Sequence, residues 1–194
     1  MASISAKQQQ MDALAAEIID SNVTPELAEQ AIQLVIGDGN LNADIVFVGE
    51  APGKKEDEQG IPFIGAAGKF LNVMLEEAGM NRSDVYITNI VKYRPPNNRD
   101  PKLAEKEAFW PYLLRQLEII QPKVVITLGR HSMNYFLPGA IIGDIHGHPQ
   151  QVTFGDQTLT IIPLYHPAAA LYNGSLRQTL IDDFLEVPKL IQNR

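Results

Sequence analysis

The 194-residue chain has no cysteine and a formal net charge of −7, from 23 acidic and 16 basic residues. Disulfides, thiolate metal sites and a cysteine nucleophile are therefore excluded, and the acidity argues against a protein that coats nucleic acid by general electrostatics. The length and a hydrophobic content of 45% fit one globular domain. No apolar run approaches the roughly 18 residues of a membrane span, and the start MASISAKQQQMDALAAEIID lacks the pattern of a secretory signal, so a cytoplasmic protein is expected.

Residues 1–20 are predicted to be helical, because Met11, Leu14, Ala15, Ile18 and Ile19 recur at helical spacing. Thr24 is placed to cap a second helix, with Pro25 at its first position, running to about Ile36. Gly37 to Asn40 reads as a turn. Ile45-Val46-Phe47-Val48 is a β-branched run stopped by Gly49, the pattern of a buried strand. A helix follows from Ala66 to Gly79, then a strand over Val85–Thr88 closed by Asn89. KYRPPNNRDP, between Val91 and Pro101, reads as a loop, and a third helix covers about Lys102 to Ile120. Lys123–Leu128 is a strand stopped by Gly129, and a short helix begins near Arg130. A hairpin is expected around Gly155, then a strand over Leu159–Leu164 and a last helix from about Leu176 to Gln192, with a kink expected at Pro188. Strands alternate with helices, which predicts a mostly parallel sheet covered on both faces in a single domain, residues 1–194.

In such a sheet ligands bind beyond the carboxyl ends of the strands. Three strands end in polar residues there: Glu50, Asn89 and His166. Each alone has a plain structural reading, as a solvated turn acid, a turn cap and a loop histidine, and their coincidence at matching ends favours a site. Gly49-Glu50-Ala51-Pro52-Gly53 sets a carboxylate between glycines and a proline, a loop shaped to approach something small and polar. Lys54, Lys55, Lys92, Arg94, Arg99 and Lys102 lie on or beside these loops, either as a local basic groove or as scattered surface charge. The nucleotide-binding glycine patterns, the G-x-S-x-G elbow and zinc-site histidine spacings are absent; His146 and His148, flanking one glycine, read as ordinary loop residues in preference to a metal pair.

The sequence resembles the family 4 branch of the uracil-DNA glycosylase superfamily. The resemblance is carried by GEAPG with Glu56-Asp57, by Gly60-Ile61-Pro62-Phe63-Ile64-Gly65 and Ala67-Gly68, and by Val85-Tyr86-Ile87-Thr88-Asn89. Lys92, Arg94-Pro95-Pro96, Asn98-Arg99-Asp100-Pro101, Pro122-Lys123-Val124 and Tyr165-His166-Pro167-Ala168 continue it, in family order from about Gly37 to the last helix. It leaves residues 1–36 as a helical extension. It implies a three-layer α/β/α fold around a central four-stranded parallel sheet, and hydrolysis of the N-glycosidic bond of uracil in DNA after the nucleotide is flipped into a pocket. It further implies that Gly49 and Ala51 line the pocket and that Phe63 stacks on the base. Asn89 would read uracil O4 and N3–H, His166 would face O2, and Glu50 would orient water and the developing positive sugar. Pro52, Gly53, Lys54, Arg94, Arg99, Pro167 and Ala168 would meet the DNA backbone. The implied partners are uracil-containing DNA and free uracil as product, for a monomeric enzyme. A non-catalytic nucleic-acid-binding relative, or a glycosylase for another deaminated base, are the alternatives.

Two departures stand out. Family 4 members usually hold a [4Fe–4S] cluster through four cysteines, two of them early in the chain, one after the lysine of the second motif and one sixteen residues on. This chain has Tyr93 and Phe109 in the later two positions and no cysteine between Asn22 and Gln33. Such a cluster cannot be built, no cofactor is expected, and Tyr93, Phe109 and Trp110 are expected to form an apolar plug instead. Ala66 also stands where the family often carries a basic residue. Glu56 and Asp57 read either as parts of the loop's geometry or as solvated acids.

Overall fold

The apolar runs pair into one six-stranded sheet in the computed structural model, which describes residues 4–154 and 157–192. Four strands form a parallel centre: β2 (Ile45–Gly49), β3 (Tyr86–Asn89), β4 (Val124–Leu128) and β6 (Gln157–Leu164). Their order is β3-β2-β4-β6, with Gly49 opposite Asn89 and Leu128 opposite Leu164. This agrees with the parallel sheet expected. Two further strands extend it: β1 (Asp38–Gly39), where only a turn was expected, pairs antiparallel outside β3, and β5 (Gln150–Phe154), the first arm of the expected hairpin, pairs antiparallel outside β6. The sheet is therefore mixed, with a four-stranded parallel core. Gly155, the expected hairpin turn, lies outside the described residues, although β5 and β6 flank it as a hairpin requires.

The nine helices among the described residues are α1 (Ile4–Asp20), α2 (Pro25–Ala28), α3 (Lys54–Gln59), α4 (Ala66–Glu77), α5 (Leu103–Ile120), α6 (Arg130–Phe136), α7 (Ile142–Ile145), α8 (Pro167–Tyr172) and α9 (Gly174–Gln192). The side-chain period of a strand divides the sheet into two faces. Val46, Val48, Val125 and Ile161 pack with α1 and α5 through Met11, Leu14, Ile18, Phe109 and Leu113. Ile45, Phe47, Ile126 and Ile162 pack on the other side with Phe70, Leu71 and Met74 of α4 and Leu180 and Phe184 of α9. Helices thus cover both faces in three layers. No described helix is long and apolar enough to cross a membrane.

The second helix is much shorter than its pattern suggested. It stops at Ala28 because the backbone beyond is claimed elsewhere: the buried Asp57 carboxylate accepts from Ile32 N–H at 2.8 Å, and Val35 N–H donates to Lys92 O at 2.9 Å. Thr24 does not cap it; its backbone is left-handed (φ 56°) and its hydroxyl donates to Val23 O. Helices α3, α7 and α8 were unforeseen. KKEDEQ has no apolar face to reveal α3, which Gly60 ends in the left-handed conformation (φ 73°). Pro188 lies inside α9.

Candidate active site

Because β2, β3, β4 and β6 are parallel, their carboxyl ends share one edge, and the residues just past them meet there. Glu50 follows β2, Asn89 ends β3, Gly129 follows β4, and His166 comes two residues after β6. Ile90 N–H donates to Gly49 O and Val91 N–H to Glu50 O, both at 3.0 Å, so the first two loops are joined. Gly129 is left-handed (φ 94°), and a Cβ there would lie 3.0 Å from His166 Cβ; glycine lets the histidine in.

Phe63 stands over the end of β2. A Cβ on Gly49 would lie 2.6 Å from Phe63 Cζ and 2.4 Å from Asn89 Oδ1, so the absence of a side chain at Gly49 is what brings ring and amide together. The Phe63 and His166 rings lie 5.7 Å apart at 34°. Asn89 is 2% exposed, and its Oδ1 is buried with no hydrogen-bond partner among the described residues. A buried amide oxygen of this kind awaits a donor.

His166 Nδ1 accepts from Ala168 N–H at 3.1 Å. A nitrogen that accepts carries no proton, so a neutral ring must hold its hydrogen on Nε2. The neutral form is favoured: the enclosing chain, and secondarily His131, push the pKa down to about 4, although part of the ring surface meets the cavity. That cavity, about 380 Å³, is lined by Glu50, Gly129, His131, Tyr165, His166 and Ala169 among others.

The Glu50 carboxylate is pushed the opposite way. Burial raises its pKa to about 7, against the pull of Lys106 and with help from Asp100. Its Oε1 lies 3.5 Å from His131 Nδ1 and 3.8 Å from Lys106 Nζ, while Asp100 Oδ2 is 3.7 Å from His131 Nε2. Neither His131 nor Lys106 was singled out from the sequence. His131 follows the third parallel strand, β4, and was open to the same strand-end reasoning; Lys106 arrives from α5, with no local signal. Glu50, Asp100 and His131 bring three donor atoms within 4.8 Å of one another, but the ammonium of Lys106 already faces Glu50 and opposes a second cation.

The remaining candidates divide clearly. Glu56 is a loop brace: its Oε1 accepts from Ile64 N–H at 2.9 Å and Gly65 N–H at 2.8 Å. Asp57 is buried and holds residues 32 and 33. Pro52 and Pro167 are buried, while Ala51, Gly53 and Ala168 are half-buried at the rim. Five of the six basic residues named from the sequence are engaged by partners, while Lys55 is exposed. Lys92 is fully buried, and its ammonium donates to Thr88 Oγ1 at 2.8 Å, Asn89 O at 2.6 Å and Gln116 Oε1. Burial drives its pKa well down, yet Thr88 Oγ1 gives its own hydrogen to Ile36 O, so all three partners can only accept and together hold the third proton on the nitrogen. Arg99 is bidentate to Glu105 at 2.9 and 2.5 Å, Arg94 donates to Asn98 Oδ1 at 2.7 Å, and Lys102 and Lys54 face Glu26 and Glu58.

Residues 36–187 match the model of the uracil-DNA glycosylase superfamily. The chain belongs to that superfamily. Among its relatives is the type-4 uracil-DNA glycosylase of Sulfurisphaera tokodaii, 48% identical over 80% of this chain and 74% of the relative. The type-4 uracil-DNA glycosylases of Archaeoglobus fulgidus and Thermotoga maritima are 45% and 42% identical, covering 85% and 83% of those proteins.

An iron–sulfur cluster of the kind usual in family 4 does not fit this member of the superfamily. Tyr93 and Phe109, at two of the ligand positions, meet edge to face with ring centroids 6.0 Å apart; Tyr93 is 6% exposed and Phe109 wholly buried. Two rings fill the space, and no thiolate exists in the chain. Trp110 departs from the expected plug by turning its ring onto Tyr135, Phe136 and Phe154.

Proposed function

We propose that the chain is a uracil-DNA glycosylase of base-excision repair that works without a cofactor. The observation that carries this is the unpartnered Asn89 Oδ1 buried beside the Phe63 ring. Uracil N3–H supplies the donor that oxygen lacks, and uracil O4 accepts from Asn89 Nδ2. Cytosine offers a bare N3 and an amino group, which leaves both amide groups facing like partners. Phe63 stacks on the flipped base whatever its identity, with Gly49 and Ala51 completing the wall.

The chemistry follows from charge. As the bond from the sugar C1′ to uracil N1 breaks, its electron pair goes to uracil and collects on O2. The His166 Nε2–H is the donor for that oxygen, and a preorganised donor where charge develops is the strongest lever available. Water adds at C1′ and gives up a proton, for which the ionised Glu50 is the acceptor; the same carboxylate steadies the positive sugar. Pro52, Gly53, Pro167 and Ala168 form the rim that meets the DNA backbone. Lys54 and Arg94 lie where they can reach phosphate, and Arg99, held by Glu105, shapes the loop. We take residues 1–194 as one domain with 1–36 as its extension, the product as free uracil, and the enzyme as a cytoplasmic monomer.

The test is release of base from a labelled oligonucleotide holding one uracil, single-stranded or opposite guanine or adenine, read as alkali-sensitive cleavage. Wild type is expected to cut and the Asn89→Ala/His166→Ala double variant not to. Folded wild-type protein that leaves uracil in place but binds the DNA would replace this reading with a non-catalytic relative; cleavage only at another deaminated base would replace it with a different lesion.

A further inference from the structure

We infer that Arg82 is the positioning residue for base stacking: its guanidinium grips the backbone of the Pro62–Phe63 segment and thereby fixes the ring that faces the base. The inference rests on the proposed role of Phe63.

Phe63 is in the left-handed region (φ 51°). For an L residue with a bulky side chain this conformation is disfavoured, and it persists only where the surroundings dictate it. Three groups do so here. Arg82, in a 3-10 turn (Arg82–Asp84) ahead of β3, donates from one nitrogen to Phe63 O at 3.0 Å and from the other to Pro62 O at 2.6 Å. From the far side, Glu56 accepts the N–H groups of Ile64 and Gly65. Beneath, the backbone of α4 lies flush with the Phe63 peptide, since a Cβ on Gly68 would fall 1.9 Å from Phe63 O. Carbonyls are thus held on one side of the bend and amides on the other, which defines the turn of the chain between them.

The guanidinium is itself held. Its first nitrogen also donates to Asn72 Oδ1 at 2.9 Å, across from α4. Burial draws its pKa down, and Asp38 and Glu56 act against that. A half-buried cation directed at two peptide carbonyls is an unusual use of charge for packing alone. The planar fork of arginine matches two neighbouring carbonyls in a way the point charge of lysine cannot. Released from this grip, Phe63 would relax toward ordinary backbone angles and its ring would leave Gly49 and Asn89. Misplacement of the stacking surface weakens base binding first, because neither Glu50 nor His166 moves with it.

The experiment is a double-mutant cycle in steady-state kinetics on a single-stranded uracil oligonucleotide, with wild type, Arg82→Met, Phe63→Ala and the double variant. Arg82→Met is expected to raise KM by about 5- to 150-fold, the range of a lost base–aromatic stack, with a smaller change in kcat and an unmoved pH profile. Arg82→Lys should restore only part of the loss. In the Phe63→Ala background, Arg82→Met should add almost nothing. A folded Arg82→Met enzyme with wild-type KM would overturn the inference, as would an equal effect in both backgrounds. If Arg82→Met does not fold, Arg82→Lys carries the same cycle. Wild type inactive on uracil would instead remove the reading of Phe63 on which the inference stands.

Discussion

Glu50 is the residue whose charge the fold works against. Burial raises its carboxyl to about 7 from an ordinary value near 4.5, so the native protein binds a proton there that the unfolded chain has already released. The stabilising effect of that proton is complete below about pH 4.5 and lost as pH rises through 7. Two consequences follow for Glu50→Gln. At pH 8 it should be more resistant to urea than wild type, with the difference gone near pH 4, while its turnover should be lower by at least about tenfold. The wild-type rate should rise with pH about a midpoint near 7 as the proton acceptor ionises. His166, with its pKa near 4, stays neutral across that window and contributes no second step. A flat rate between pH 6 and 8 would refute Glu50 as the acceptor. The strand-end logic that exposed Glu50, Asn89 and His166 in the sequence works because parallel strands deliver their last residues to one edge. Arg82 escapes it, because its side chain acts on backbone carbonyls distant in sequence that no local pattern announces; nor does any pattern announce that Lys92 turns inward to Thr88, Asn89 and Gln116.

At the scale of elements, the aromatic pair of Tyr93 and Phe109 joins the proline-rich loop to α5 where the family's cluster would sit. Arg99 and Glu105 tie the same two segments: Glu105 accepts from Lys102 N–H at 2.7 Å at the start of α5 while gripping the guanidinium. The join is therefore apolar inside and ionic at its margin. Phe109→Ala should destabilise by about 3–5 kcal/mol, as expected for removing a buried aromatic side chain, and Tyr93→Ala by less, since the phenol sits nearer the surface. Urea denaturation measures both, and a loss under about 1 kcal/mol at Phe109 would show that the join is made elsewhere. Sequence pattern resolved the long helices, the parallel strands and the start of α6, but not the other short helices. Helices α4 and α5 carry apolar faces, but α3, α7 and α8 are set by loops and glycines, and the expected continuation of α2 was lost to Asp57, a partner 25 residues away.

Across the whole molecule, the net charge of −7 and the fate of the basic residues set how DNA can be held. Six basic residues between Lys54 and Lys102 lie on or beside the site loops in sequence, but the fold buries Lys92 and commits Arg99 to Glu105. Lys54 and Lys102 face glutamates at 3.8 and 3.4 Å, and those two pairs are exposed and easily exchanged for phosphate. Lys54, Lys55, Arg94 and Lys102 are the cations left for backbone contacts beside the site, and the acidic body repels the strand beyond them. Binding should depend on the pocket that takes the flipped base more than on counterion release. For a single strand contacting two or three phosphates, the slope of log K against log salt should be near −2. Titration of a fluorescent uracil oligonucleotide with the slowed Glu50→Gln protein from 50 to 200 mM salt, read before turnover, measures it, with the same strand lacking uracil as reference. A slope steeper than about −4 would mean that a cationic surface, and not the pocket, dominates the hold on DNA.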